Sequence, residues 1–139
     1  MPVRDIYHDN VKAALIKDGW TITHDPLTVP FGIRTNIYVD LGAQRLIAAS
    51  KENQKIAVEI KSFVSKSAID DLEDALGHYV LYLSLLEEFE PERKLFLAIT
   101  RETFESIFNE PVGQTLIRKL NLHIIIFDDK KEVIAKWIP

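Results

Sequence analysis

The segment KIAVEIKSF, residues 55–63, contains the clearest β-strand in the sequence and decides the predicted fold. Its residues Ile56, Val58 and Ile60 alternate with Ala57, Glu59 and Lys61. A period of two is typical of a strand whose two faces meet different surroundings. The same alternation places Glu59 and Lys61 on one face of the strand.

A long amphipathic helix is predicted directly after this strand, from Ser67 to about Glu88. Ser67 and Asp70 have the spacing of a capping box, with Asp in place of the usual Glu or Gln. Gly77 lies inside the helix, where glycine costs about 1 kcal/mol relative to alanine, so we expect a close packing contact there. The predicted inner stripe consists of Ile69, Leu72, Leu76, Tyr79, Leu83 and Leu86.

Further elements are predicted on both sides. Before the strand we expect a helix over residues 4–18 capped by Gly19, an extended segment over 20–29 interrupted at Pro26, a short strand over 36–41, a strand or helical turn over 45–50 and a polar turn over 51–54. After the long helix we expect a buried strand over 94–100, two short helices flanking 109–111, a second buried strand over 123–127 and a closing hairpin.

This order of elements predicts an α/β fold leaning towards α+β. We expect one domain over residues 1–139 with a central mixed β-sheet flanked by helices on both faces, parallel in its second half and a meander in its first.

Composition excludes several classes of protein. The 139 residues are 47% hydrophobic and 27% charged, which fits one globular domain and excludes intrinsic disorder. No apolar run approaches the roughly 20 residues that span a bilayer. The absence of cysteine excludes disulfides, thiolate metal sites and a cysteine nucleophile. The first ten residues lack the apolar stretch of a signal peptide, and we expect a cytoplasmic protein.

Charge is unevenly distributed along the chain. The net charge of −4 argues against a protein that coats nucleic acid non-specifically. Residues 34–66 hold six basic and three acidic residues, whereas residues 67–92 hold eight acidic residues and no basic one. This asymmetry fits a solvated helix surface followed by an acidic loop. It also fits a protein with one face for phosphate and an acidic side for another protein.

Asp40, Glu59 and Lys61 form the constellation that could carry chemistry. Carboxylates on neighbouring strands can hold a hard divalent cation such as Mg²⁺, which also takes phosphate oxygens as ligands. An ammonium group beside them could orient or deprotonate water, or stabilise charge on phosphate. The corresponding reaction is metal-assisted cleavage of a phosphodiester bond.

The Glu-x-Lys spacing alone is a weak motif. Eleven Glu and eleven Lys in 139 residues predict about one such tripeptide by chance, and Glu92 and Lys94 repeat it. The alternative is an amphipathic strand whose polar face carries ordinary surface charges. The position of Glu59 favours a site, because it lies in the best strand, after another strand with a carboxylate and before a long helix.

The segments around these residues resemble known families. Residues 38–42 and 57–63 resemble the catalytic core of the PD-(D/E)XK nuclease superfamily. Nearly the whole chain resembles the XisH family of cyanobacterial fdxN-element excision controlling factors. The matching segments are residues 17–27, 40–43, 46–49 and 58–63.

The resemblance implies a restriction-endonuclease-like fold and a role in programmed DNA excision, beside a separate site-specific recombinase and a second factor, XisI. It implies Asp40, Glu59 and Lys61 as catalytic residues, with Asp40 and Glu59 as ligands of Mg²⁺ and with Mn²⁺ as a substitute. DNA is the expected substrate. A homodimer is expected as well, because many related nucleases act on both strands as pairs.

The chain departs from the nuclease pattern at several positions. Val39 stands where the superfamily has Pro. His78 and Tyr82 stand where its following helix often has Gln and an aromatic residue, and we predict that they contact substrate. A partly buried histidine with a local partner is the alternative for His78, since imidazole does not reproduce an amide.

The first predicted helix contributes three more candidates. Lys12 is predicted to contact substrate. Asp5 or Asp9 could supply the additional acid that such nucleases often carry on this helix, although capping charges explain both residues equally well.

Three functions therefore remain open: a Mg²⁺-dependent DNA endonuclease or nickase, a regulator that binds DNA or XisI without cutting, and an interaction module that uses the acidic residues 70–92 or the edge of the terminal hairpin. Geometry separates them, because two carboxylates that share one Mg²⁺ must converge to about 3 Å.

Overall fold

A six-stranded mixed β-sheet forms the centre of the computed structural model, which describes residues 4–47 and 52–139. The elements are helix α1 (His8–Lys17), strands β1 (Thr21–His24), β2 (Leu27–Pro30), β3 (Asn36–Val39), β4 (Leu41–Ile47) and β5 (Glu52–Ile60), helix α2 (Ala68–Phe89), strand β6 (Arg93–Thr100), helical turn α3 (Arg101–Thr103) with a π-helical turn (Phe104–Phe108), helix α4 (Pro111–Leu120), and strands β7 (Ile124–Asp128) and β8 (Val133–Ile138).

The strand pairing confirms the predicted mixed sheet. The sheet order is β1-β4-β5-β6-β7-β8, and β2 and β3 form a separate hairpin. The β5–β6 and β6–β7 pairs are parallel because α2, and then α3 with α4, return the chain across the sheet. The other pairs are antiparallel.

Helices cover both faces of the sheet, as predicted. Val11 and Leu15 of α1 pack in the core that includes Val58, whereas Tyr79 of α2 packs in the core that includes Ala57. The alternation along β5 therefore directs Ile56, Val58 and Ile60 towards α1 and places Ala57 and Glu59 on the side of α2. This placement brings a carboxylate beneath a helix that carries polar side chains.

Two strand predictions needed correction, and one that was left open between a strand and a helical turn is decided for residues 45–47. The short strand ends at Val39, because Asp40 leaves the ladder and its carboxylate binds the backbone of β5. The predicted polar turn over 51–54 is wrong for residues 52–54, which belong to β5. Gln54 pairs with Arg45 of β4, and ladder pairing outweighs their polar composition. Residues 45–47 form a strand, whereas residues 48–51 lie outside the described residues.

Capping interactions mark the ends of helices α1 and α2. Ser67 Oγ accepts a hydrogen bond from the Asp70 N–H at 3.1 Å, which confirms the predicted cap of α2. Gly19 has a φ of 92°, as expected of a left-handed residue after a helix. Helix α1 begins at His8 rather than Arg4, since the Asp5 carboxylate binds the N–H of Tyr7 and forms a turn there.

Two predictions about the surface of α2 are wrong. Ile69 is 63% exposed, whereas Asp71 is buried, because the Asp71 carboxylate binds groups beneath the helix. No close contact surrounds Gly77: a Cβ atom there would meet nothing within 4 Å among the described residues. Gly113 is the closely packed helix glycine, since a Cβ there would lie 2.2 Å from the Ile107 carbonyl oxygen.

These two glycines provide a matched test of packing. Gly77→Ala is expected to raise the free energy of unfolding by about 1 kcal/mol, because alanine favours the helix and nothing blocks its methyl group. Gly113→Ala is expected to lower it by roughly 2 kcal/mol or more, because backbone atoms must move. Urea denaturation of both variants measures the effects, and equal changes would contradict the packing described for α4.

Among the described residues, no helix is both long enough and apolar enough to cross a membrane.

Candidate active site

A cavity of about 210 Å³ lies at the end of β5, between α2, the hairpin β2–β3 and the segment before α1. It brings together five of the six predicted catalytic and substrate-contacting residues from separate parts of the chain. Its lining residues are Asp5, Tyr38, Asp40, Glu59, Ile60, Lys61, His78 and Tyr82.

Asp40 lies at the break between β3 and β4. Its Oδ2 accepts a hydrogen bond from the Ile60 N–H at 2.7 Å, which fixes the carboxyl group beside the end of β5. Burial and the neighbouring Glu59 carboxylate raise the pKa of Asp40 to about 8. Near neutral pH this carboxyl group therefore holds a proton unless a positive charge is close by.

Glu59 is 8% exposed and lies on the side of β5 that faces α2. Its Oε2 is 3.3 Å from His78 Nδ1, and its Oε1 is buried with no hydrogen-bond partner. Burial raises the pKa of Glu59 to about 7. A buried carboxylate oxygen without a partner is costly, so this atom fits a site that binds a positively charged group.

The Lys61 ammonium lies at the rim of the cavity and contacts α2. Its Nζ is 3.5 Å from Asp71 Oδ1 and 3.8 Å from Asp74 Oδ2. The other Asp71 oxygen accepts the N–H of Ser65 at 3.1 Å. Burial opposes the charge of Asp71, but the Ser65 and Lys61 contacts outweigh it and hold the pKa of Asp71 below its usual value. Asp71 thus positions the lysine from below the helix.

His78 and Tyr82 form one wall of the cavity. Their rings are stacked with centroids 5.5 Å apart, as their spacing of four residues on a helix allows. Burial, together with the charges of Glu59 and Asp40, raises the pKa of Tyr82 to about 12. The hydroxyl group of Tyr82 therefore stays protonated near neutral pH and can donate a hydrogen bond. His78 has a local partner in Glu59, and its predicted substrate contact stays a prediction.

The two acids before and within α1 differ in position. Asp5 lines the cavity, and its Oδ2 accepts the N–H of Ser62 at 3.0 Å. Asp9 does not line the cavity, and its carboxylate is 3.5 Å from Arg4. Of the two, Asp5 is the one placed to act as an additional acid.

Lys12 does not line the cavity with the other candidates. Its Nζ binds Asp25 Oδ2 at 2.8 Å, and Asp25 Oδ1 binds His8 Nε2 at 2.6 Å. Burial opposes the charge of Asp25, but the contacts with Lys12 and His8 outweigh burial and hold the pKa of Asp25 below its usual value. The predicted contact between Lys12 and substrate stays a prediction.

A family model described as XisH protein matches residues 1–135. The chain belongs to the XisH family. Two crystal structures of similar proteins support the same assignment. An XisH family protein from Nostoc punctiforme is 38% identical with a TM-score of 0.85, covering 97% of this chain and all of that one.

The second structure is described as an fdxN element excision controlling factor protein from Anabaena variabilis. It is 39% identical with a TM-score of 0.87, and the match covers 98% of this chain and all of that one. The comparison with curated proteins finds no match. The predicted membership of the XisH family is therefore confirmed, and every candidate site residue lies within the matched segment.

Two residues of this XisH-family site were missed from the sequence. Tyr38 lines the cavity, and the alternation of β3 could have found it, since it lies two residues before Asp40. Asp71 positions Lys61, but no sequence signal identifies it, because an acid in the first turn of a helix is common for electrostatic reasons alone.

The donor set fits a hard divalent cation. Asp40 and Glu59 present carboxylates to one cavity, and Glu59 Oε1 has no other partner. Within residues 4–47 and 52–139, no group of three or more His, Asp or Glu side chains has the arrangement of a metal site. Two carboxylates suffice for Mg²⁺, which commonly keeps several waters and takes substrate phosphate oxygens as further ligands.

Proposed function

We propose that this XisH-family chain is an excision controlling factor that hydrolyses phosphodiester bonds of DNA with the aid of a divalent cation. The excision role rests on the 39% identical fdxN element excision controlling factor protein. The hydrolytic role rests on one observation: Asp40, Glu59 and Lys61 line one cavity, and Glu59 Oε1 is buried without a hydrogen-bond partner.

Asp40 and Glu59 are the residues that would hold Mg²⁺ or Mn²⁺. When bound, the cation supplies Lewis-acid chemistry and lowers the pKa of a water ligand. The chain itself keeps the two carboxyl groups in place: the Ile60 N–H fixes Asp40, and burial beneath α2 fixes Glu59. Their raised pKa values mean that a nearby positive charge would favour the ionised form of both groups.

Lys61 provides the positive charge that the chain brings to the phosphate. Its ammonium group is held at the rim by Asp71 and Asp74, where it can donate hydrogen bonds to a phosphate oxygen as negative charge develops. Tyr82, whose hydroxyl stays protonated, offers a second donor from α2. His78 lies beside Glu59 and can hold its carboxylate in position.

A regulator without nuclease activity is the second candidate. It is favoured by the Lys61 ammonium, which already contacts two acids of α2, and by the finding that no three acidic or imidazole side chains among the described residues are arranged as metal ligands. Such a protein would bind DNA, an XisI-like protein or both, and the separate recombinase would cut. A homodimer suits either candidate.

Cleavage assays distinguish the two candidates. We expect the purified protein to cut at least one of supercoiled, linear, nicked or branched DNA in Mg²⁺ or Mn²⁺, and chelation by EDTA to abolish the cutting. DNA binding without cleavage under both metals would favour the regulator. Neither binding nor cleavage of DNA, together with failure to co-purify with an XisI-like protein, would contradict both.

A further inference from the structure

Apolar side chains are exposed at the tip of the β2–β3 hairpin. We define the hairpin tip as residues 31–35. Phe31 is 58% exposed and Ile33 is fully exposed, so neither contributes to the core. The tip is nonetheless held in shape, because the N–H groups of Phe31 and Gly32 both donate to the Thr35 carbonyl, at 2.9 and 3.0 Å. A preformed apolar tip of this kind is typical of a binding element.

The hairpin tip is joined to the active-site cavity by a row of polar side chains. Ile37 packs on the core and Val39 lies within it, so the alternation of β3 directs Asn36 and Tyr38 outwards. Tyr38 lines the cavity, and Asp40 continues the row. Arg34 of the hairpin tip lies six residues before Asp40. At about 3.3 Å per strand residue, the two residues are about 20 Å apart.

Arg34 gives the hairpin tip a positive charge with no counter-charge. It is exposed, and no carboxylate in the described part of the chain lies within ion-pair distance of its guanidinium group. Lys12, Lys61 and Arg93, by contrast, all contact acids. An unpaired arginine beside exposed apolar residues suits a partner with both negative charge and apolar surface, and duplex DNA has both.

We propose that the hairpin tip enters the major groove of duplex DNA about six base pairs from the phosphate held in the cavity. This inference rests on the proposed function, since it places DNA in the same cavity. A two-stranded β-ribbon fits the major groove, arginine pairs with guanine, asparagine pairs with adenine, and apolar side chains contact the thymine methyl group. Arg34, Asn36 and Ile33 offer these three kinds of contact.

The test compares DNA binding by two triple variants. The tip variant is Phe31→Ser, Ile33→Ser and Arg34→Ala. The control is Val112→Ser, Leu120→Ser and Arg118→Ala, which removes exposed groups of the same kinds from α4. Affinity for a mixed-sequence duplex is measured with EDTA present over a range of salt concentrations, so that binding is separated from cleavage.

The tip variant is expected to bind at least tenfold more weakly, with the slope of log affinity against log salt reduced by about one, while the control stays within about twofold. In a duplex made with 7-deazaguanine, which lacks the N7 acceptor, the unmodified protein should bind more weakly and the tip variant should not change. Equal affinity of the tip variant and the unmodified protein would overturn this inference. The proposed function would not be affected by that result, because it is tested separately by cleavage of DNA by the unmodified protein in Mg²⁺.

Discussion

Glu59→Gln is expected to lower the rate of DNA cleavage roughly a thousandfold, with the fold unchanged. Glutamine keeps the shape of the side chain but loses the charge that holds the cation. It also replaces the unpartnered carboxylate oxygen with a neutral amide group. Rates on a defined duplex in Mg²⁺ and in Mn²⁺ measure the loss, and circular dichroism checks the fold.

The chain offers a matched control for this substitution. Glu92 and Lys94 repeat the Glu-x-Lys spacing, but Glu92 is exposed and contacts Lys55 at 3.9 Å. Glu92→Gln should therefore leave the rate within about twofold. Lys61→Met should lower the rate roughly a hundredfold, and Lys94→Met should not. Equal activity of Glu59→Gln and Glu92→Gln would show that the cavity is not the site of cleavage.

The free energy of unfolding without metal is expected to fall by at least about 3 kcal/mol between pH 5 and pH 9. The pKa values of Asp40 and Glu59 are about 8 and about 7 in the folded protein, above their ordinary values. The folded state therefore holds more protons than the unfolded state, and stability falls as pH rises through these values. The shift of Glu59 from 4.5 alone corresponds to about 3 kcal/mol.

Urea denaturation at a series of pH values measures this loss of stability. Asp40→Asn should remove much of the pH dependence, because it replaces one acid of the pair with a neutral amide group. Asp9→Asn is the control, since that acid is exposed and does not line the cavity. A wild-type protein as stable at pH 9 as at pH 5, or an Asp40→Asn variant with the full pH dependence, would contradict the account of the buried acids.

Sequence reasoning identified the parts of the fold that depend on local pattern. The alternation over residues 55–63 predicted that Glu59 and Lys61 share one face, and both line the cavity although β5 ends at Ile60. The Ser67 cap marked the start of α2. Both signals act over a few residues. The alternation of strands and helices gave the parallel pairing of the second half, since each helical crossover returns the chain in the same direction.

The wrong predictions concern residues whose conformation or orientation depends on long-range contacts. The composition of residues 52–54 indicates a turn, yet the ladder with β4 holds them in a strand. The apolar stripe predicted on α2 included Ile69, but the contact between Asp71 and Lys61 turns a different side of the first turn inwards. Such a contact joins residues that no local pattern links.

The same limit applies to the site. Asp40 and Glu59 could be named from their strands, whereas their shared cavity and the unpartnered Glu59 oxygen are visible only in the structure. That Lys12 does not line this cavity was equally hidden, because its ion pair with Asp25 depends on how α1 packs beside β1.

Calorimetric titration with Mg²⁺ and Mn²⁺ at pH 7 tests most directly whether the paired acids form a cation site. The unmodified protein should bind one ion per chain and release protons, seen as a dependence of the heat on the buffer, while an Asp40→Asn, Glu59→Gln double variant should bind at least about a hundredfold more weakly. Absence of binding to the unmodified protein, or equal binding by the double variant, would contradict the account.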